Sequence, residues 1–201
     1  MPKKIIFLDC ETTGLDEKDA DGFTLLAHEI HSIIELSYII DIDGKMVEKQ
    51  QLYARPRPND VISKEALNVN GRKEEEILNF PPQKDLYTMF LQSLGKWVDP
   101  FNKEDKFWFL AYNAGYDDGF VRQLFSDHGD TYYGSWFWVP CIDIKQIVGA
   151  MLMESDARHL IPNVKLTTVA KYLDIAVKED NFHDGLYDCR ILRSIYYKLV
   201  S

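Results

Sequence analysis

The sequence predicts one α/β domain built on a mixed sheet, and three observations lead there. Residues 3–10 and 106–112 ("KFWFLAY") are apolar on both alternating faces, the pattern of central strands covered on both sides. Residues 32–41 ("SIIELSYIID") and 46–54 ("MVEKQQLYA") flank the turn signal "DGK" at 43–45 and read as an antiparallel hairpin. Helical periods at 117–126, 143–153, 165–173 and 185–200 then follow or alternate with strand patterns, so antiparallel strands come first and α/β alternation second. With 201 residues, no internal repeat and no low-complexity linker, a single domain spanning 1–201 is expected.

The first strand begins with Ile5 and Phe7 on one face and Ile6, Leu8 and Cys10 on the other. Asp9 and Glu11 continue the first face, where buried side chains are due. After the hairpin, "RPRPND" at 55–60 breaks the pattern, and short helical turns at 63–68 and 73–78 are separated by Gly71. A helix over 83–98 would place Leu86, Met89, Phe90, Leu94 and Trp97 on one side. The helix at 117–126 carries its stripe on Phe120, Val121, Leu124 and Phe125, and one turn back on that stripe stands Asp117. Asp118 lies off the stripe, one turn from Arg122, as in a solvated ion pair. The last helix repeats the arrangement, with Asp188 one turn before Leu192, Ile195 and Leu199. Asp143 and Asp184 each precede an apolar run and read as helix caps.

Composition narrows the function classes. Hydrophobic residues make up 46% and charged residues 27%, and no run of eighteen apolar residues exists, so no membrane span is expected. The N-terminal lysines run straight into the first strand without a small-residue cleavage site, unlike a signal peptide. Cys10, Cys141 and Cys189 are odd in number and lack Cys-x-x-Cys spacing, which fits a reducing compartment and a cytoplasmic location. A net charge of −9 is the wrong sign for gripping a nucleic-acid duplex through its phosphates alone. It permits a nucleic-acid substrate if bound cations make the site locally positive, with weak, salt-sensitive and distributive action.

Either helical aspartate alone reads as a capping or dipole contact. Taken with Asp9 and Glu11, four carboxylates aimed at one core repel one another unless cations neutralise them. Carboxylate oxygens, water and a substrate phosphate suit Mg²⁺ or Mn²⁺. His183, five residues before Asp188 in "NFHDGLYDC", completes the group as a candidate proton acceptor near neutral pH.

"FLDCETTGL", "YNAGYDDGF" and "HDGLYD" together resemble, in chain order, the three motifs of the DEDDh exonucleases, a family that includes the proofreading epsilon subunit of bacterial replicases, ribonuclease T and oligoribonuclease. The resemblance covers residue 5 to about 195. It implies a ribonuclease-H-like fold, a mixed five-stranded sheet flanked by helices. It implies 3′–5′ hydrolysis of single-stranded DNA or RNA to nucleoside 5′-monophosphates. Two Mg²⁺ (or Mn²⁺) would be held by Asp9, Glu11, Asp117 and Asp188, with His183 as general base. Thr12, Thr13, Gly14 and Leu15 would line the terminal-nucleotide pocket, with Leu15 as a wedge, and Asn113 would lie near the bound strand. Three departures stand out: a long 16–29 segment, Tyr116 where relatives usually carry Phe, and the aromatic run at 130–138.

Other features carry less. His28 and His31 in "HEIH" are three apart, not the four of a zinc-protease helix. The acidic run from Glu17 to His28 lacks the twelfth-position glutamate of a calcium loop and reads as a solvated acidic loop. Trp136, Phe137 and Trp138 suit base stacking and core or dimer contacts equally. Lys165 and Arg158 read as surface cations. Partners implied are single-stranded 3′ ends, with a homodimer or a polymerase association left open. The competing class is a catalytically silent metal-binding interaction module on the same fold.

Overall fold

A computed structural model describes residues 1–178 and 184–200. Its main sheet has five strands in the order β5-β4-β1-β6-β7. These are β1 (Lys4–Thr12), β4 (Ile33–Ile42), β5 (Lys45–Tyr53), β6 (Trp108–Ala111) and β7 (Ile142–Asp143). β4 runs antiparallel to β1 and to β5, while β6 runs parallel to β1 and to β7, so the sheet is mixed as expected. The β4–β5 hairpin turns at Asp43 and Gly44, whose φ values of 49° and 80° are the paired positive angles such a tight turn needs.

β1 is central, and its alternation divides the core. Ile6, Leu8 and Cys10 pack with Leu86, Phe90, Phe120, Val121 and Phe125 on one face. The helices there are α4 (Gln83–Leu94) and α5 (Ala114–Asp127). Ile5 and Phe7 pack with Ile144, Val148, Val169, Cys189, Leu192 and Ile195 on the other. The helices on that side are α7 (Ile144–Glu154), α8 (Leu166–Tyr172) and α9 (Gly185–Val200). Fully burying a side chain such as Phe7 contributes about 1.5–3 kcal/mol, so this two-sided packing fixes the strand firmly. Two short helices, α2 (Lys64–Val69) and α3 (Glu74–Leu78), sit where the helical turns are expected, and Gly71 between them has φ 64°.

Several expectations need correction. The helix from residue 83 ends at Leu94 with Gly95 as its C-cap, so Trp97 lies beyond it and donates from its indole to Glu48. Met89 is exposed, because the buried stripe of α4 is Leu86, Phe90 and Leu94. The 16–29 segment is not a plain acidic loop. It forms a two-stranded ribbon of β2 (Glu17–Lys18) and β3 (Thr24–Leu25), followed by α1 (Ala27–Ile30). Asp19 accepts from the Asp21 and Phe23 amides and so shapes the ribbon's turn. In the aromatic run, which includes the helical turn α6 (Tyr133–Trp136), Trp136 and Phe137 are buried in the core, and Phe137 packs on Phe90, Phe107, Phe109 and Phe125. Trp138 is instead half-buried and packs at a tilt against Trp108, with Lys106 over its ring. Arg158 is exposed, in line with a surface cation, and donates to the Ile161 carbonyl of its own segment. Among the described residues, no helix is long and apolar enough to cross a membrane, and the three cysteines are free.

Candidate active site

The alternation that buries Ile5 and Phe7 carries Asp9 and Glu11 onto the α9 face of the sheet. α9 lies across β1 and β4, and its first turn presents Asp188 to the same face. The close approach requires Gly185. A Cβ there would stand 2.9 Å from Glu35 Oε1 and from Ser37 Oγ, while one turn on the Cys189 thiol donates to the Ser37 carbonyl at 3.3 Å. One carboxylate oxygen from each of Asp9, Glu11 and Asp188 lies within 4.8 Å of the others.

Asp117 arrives from the opposite layer. β6 pairs with β1 only as far as Phe7↔Leu110, which leaves the edge of β1 open beyond that point. Asp117, buried in the first turn of α5, fills the gap by accepting from the Cys10 amide at 2.9 Å. It is therefore beside the trio and not within it. The four carboxylates nonetheless feel one another. Burial raises Asp9 well above the usual carboxylate range, and the charges of Asp117, Glu11, Asp188 and Glu35 push it further. Burial, with Glu35, Asp188 and Asp117, lifts Glu11 to about 8 against a smaller downward pull from Arg72. Burial takes Asp117 to about 7 despite the Cys10 amide. Such groups hold protons in the absence of a cation and would release them to a divalent ion, so the donor set, all carboxylate oxygen, fits Mg²⁺ or Mn²⁺. His183 lies outside the described residues.

A fifth carboxylate escaped the sequence reading. Glu35 pairs with Glu11 directly across β1 and β4 and is buried. Its oxygens accept from Ser37 at 3.0 Å, Gln51 at 2.8 Å and Arg72 at 2.9 Å. Arg72 also holds Glu76 and covers the Tyr53 ring, so Glu35 has its own internal cation, while its charge raises the Glu11 pKa. The signal was present as a glutamate inside the apolar run of 32–41, but Arg72 lies 37 positions away.

The residues expected to line a nucleotide pocket divide. A cavity of about 400 Å³ beside Glu11 is lined by Thr12, Gly14, Leu15, Ala66, Val69, Asn70 and Tyr116, among others. Leu15 is exposed at its mouth. Thr12 Oγ1 and the Tyr116 hydroxyl bond each other at 2.6 Å and both reach the Gly14 carbonyl, which gives the hydroxyl of Tyr116 a fixed structural use. Gly14 admits no side chain, because a Cβ would stand 2.1 Å from the buried His31 ring. Thr13 does not line the cavity. It is fully buried, its hydroxyl donates to the Val61 carbonyl at 2.7 Å, and its amide and carbonyl are bonded to Ser32 and Ser63. Asn113 lines neither this cavity nor the one described below. It enters α5 with φ 73°, and its amide donates to Asp143 Oδ1, the atom that also caps α7 at Lys145.

Comparison with known proteins places these features in context. Residues 6–196 match the family RNase_T, described as exonuclease. The chain is 25% identical over 201 residues to the DNA polymerase III subunit epsilon of Buchnera aphidicola subsp. Schizaphis graminum, covering 99% of this chain and 75% of that protein. It is 24% identical over 193 residues to the DNA polymerase III PolC-type of Clostridium perfringens, covering 94% of this chain and 11% of that protein. Among solved structures, the nuclease domain of 3′hExo, a DEDDh family member bound to rAMP, superposes with a TM-score of 0.66 at 16% identity, covering 99% and 92% of the two chains. The E. coli ExoI–ssDNA complex superposes with a TM-score of 0.74 at 15% identity, covering all of this chain and 40% of the other.

Proposed function

The chain belongs to the exonuclease family, and on that footing we propose that it is a DEDDh 3′–5′ exonuclease that hydrolyses single-stranded DNA or RNA to nucleoside 5′-monophosphates with two divalent cations and a histidine base. The observation that carries this reading is the convergence of Asp9, Glu11 and Asp188 oxygens within 4.8 Å of one another on a face where burial raises the carboxylates. Asp9, Glu11 and Asp188 would hold one cation, and Asp117, which already accepts from the Cys10 amide through one oxygen, would contribute to the second through its remaining oxygen or through water. Divalent cations, when bound, promote ionisation of the attacking water and stabilise charge on the phosphate and the leaving 3′ oxygen.

The rest falls to the chain's own groups. His183 is assigned the proton of the attacking water, on its position five residues before Asp188. Leu15, Ala66 and Val69 offer apolar surface to the terminal base, and Glu11, Asp16, Glu17 and Glu65 on the same cavity can accept from sugar hydroxyls. The kinship with replicase subunits is also consistent with association with a polymerase, and the free thiols with a cytoplasmic location.

End-labelled single strands of DNA and RNA, incubated with Mg²⁺, with Mn²⁺ or with chelator, test the proposal. Stepwise loss of 5′-monophosphates from the 3′ end, abolished by chelator, is expected. Release from the 5′ end alone, or full activity in chelator, would overturn it. Metal binding without hydrolysis would instead point to a silent module.

A further inference from the structure

A second cavity, of about 660 Å³, meets the carboxylates from the other side. It is lined by Asp188 together with Tyr112, Lys145, Asn163, Lys165 and Leu166, among others. The two cavities differ in charge. Among the described residues no lysine or arginine lines the first, which carries Glu11, Asp16, Glu17 and Glu65, whereas the second brings two lysines to the edge of the metal-binding trio. Both lysines stand on braced backbone. The Lys145 amide donates to Asp143 at 2.9 Å, and the Lys165 amide donates to Asn163 Oδ1 at 3.0 Å, an atom that also accepts from Thr168. The Tyr112 hydroxyl donates to the Val164 carbonyl at 2.6 Å and ties this turn to the end of β6. Among the described residues neither ammonium is held in an ion pair, unlike Lys4 on Asp105 or Lys96 on Glu48.

A strand cut at its 3′ end is electrostatically lopsided about the scissile bond. The terminal nucleoside brings only the phosphate being attacked, while the upstream side adds one phosphate per nucleotide. An acidic cavity without cations matches the first, and a lysine-bearing cavity matches the second. We infer that Lys145 and Lys165 form an upstream subsite that binds the phosphodiesters on the 5′ side of the scissile bond. The subsite sets the direction of threading, with the 3′-terminal nucleoside in the Leu15 cavity and the remaining strand leaving past Asp188 and Tyr112. In a chain of net charge −9 it supplies a local grip that the surface as a whole does not. This rests on the exonuclease reading above.

The test compares two substrates in the double variant Lys145→Ala/Lys165→Ala. One is a ten-nucleotide single strand. The other is the p-nitrophenyl ester of thymidine 5′-monophosphate, which places p-nitrophenol where the upstream strand would be and so never reaches the lysines. The expected result is a loss of kcat/KM on the oligonucleotide about ten-fold greater than on the ester, carried mainly by KM. The salt dependence of the oligonucleotide KM should also become shallower, by about 0.7 in log–log slope for each phosphate contact removed. Equal losses on both substrates, or none on either, would overturn the subsite while leaving the exonuclease intact. A wild-type protein inert on both, with Mg²⁺ and with Mn²⁺, would overturn the exonuclease reading and the subsite with it.

Discussion

The two ends of the central sheet both bury carboxylates, and they treat them in opposite ways. At the end where β1 begins, Asp41 lies opposite Ile5 and is fully buried. Arg193 Nε reaches both its oxygens, at 3.0 and 2.8 Å, and the Tyr197 hydroxyl donates at 2.7 Å. Nearby, burial opposes the charge of Glu48, but donors from Trp97, Ser93, Lys96 and Gln50 bring it down to about 2. At the end where β1 finishes, Asp9, Glu11 and Asp117 are all pushed upward. Acidic residues with their cations and donors built in hold the fold together. Acidic residues whose burial and mutual repulsion outweigh their donors are held ready for a cation from outside. Glu35 marks the boundary: it sits at the site end but carries Arg72, Ser37 and Gln51, and so supports the site without joining it.

The largest expected contrast is in activity. Asp9→Asn should lower the rate of nucleotide release by about 10³-fold or more, and His183→Ala by about 10²–10⁴-fold, both read by single-turnover kinetics. Asp41→Asn should leave turnover near the wild-type value at a temperature where it is folded. Comparable losses in Asp41→Asn and Asp9→Asn would erase the distinction between the two ends.

Stability should show the reverse. Asp41→Asn leaves Arg193 without its carboxylate and should cost about 1–3 kcal/mol, whereas Asp9→Asn removes like-charge repulsion and should raise the melting temperature of the metal-free protein. Thermal melts in chelator at about pH 8 separate the two, and a lowered melting point for Asp9→Asn would count against stored repulsion at the site.

The same contrast has a pH signature. Glu11 and Asp117 have folded-state pKa values of about 8 and about 7, above their ordinary 4.5 and 3.8, so the folded state binds the extra protons. Their contribution to stability is present at low pH and is lost as pH rises through about 7 to 8. Glu48 works the other way, losing its contribution only as pH falls from 4.5 towards about 2. Metal-free protein should therefore melt at progressively lower temperature between about pH 5 and 8.5, and saturating Mg²⁺ should flatten that fall because the cation replaces the protons. A metal-free melting temperature that climbs across this window would contradict the assignment.

The smallest expected effect concerns the boundary. Arg72 pulls the Glu11 pKa down, so Arg72→Gln should move the acid limb of the rate profile to higher pH, by up to about one unit, and raise the Mg²⁺ needed at a given pH. An unshifted limb would make Arg72 a purely structural partner of Glu35.

Much of this molecule was written locally. The hairpin turn at Asp43 and Gly44, the stripes of α5 and α9, and the caps Asp143 and Asp184 follow from short-range backbone geometry, and the four longer strands and the main helices fall close to where periodicity puts them, whereas the 17–30 ribbon and helix, α6 and the short edge strand β7 carry no such signal. The four carboxylates were legible because each interrupts an apolar period, so that a charge stands where a buried side chain belongs. The same local reasoning failed at Met89 and Trp97, where Gly95 ends the helix before the period does. Thr13, placed at the pocket by the resemblance, shows in the structure a burial that depends on Val61 and Ser32 arriving from elsewhere in the chain.

What the sequence by itself determined is which side chains face inward, since the pitch of a helix and the alternation of a strand are properties of a few consecutive residues. Only the tertiary structure decided which of them meet: that Asp188 joins Asp9 and Glu11 while Asp117 turns to the Cys10 amide, that Arg72 neutralises Glu35, and that two lysines flank one side of the site and none the other. Those pairings join residues 37 to more than 100 positions apart. A periodicity assigns a face, but the partner across that face is set by strand order, register and the packing of whole layers.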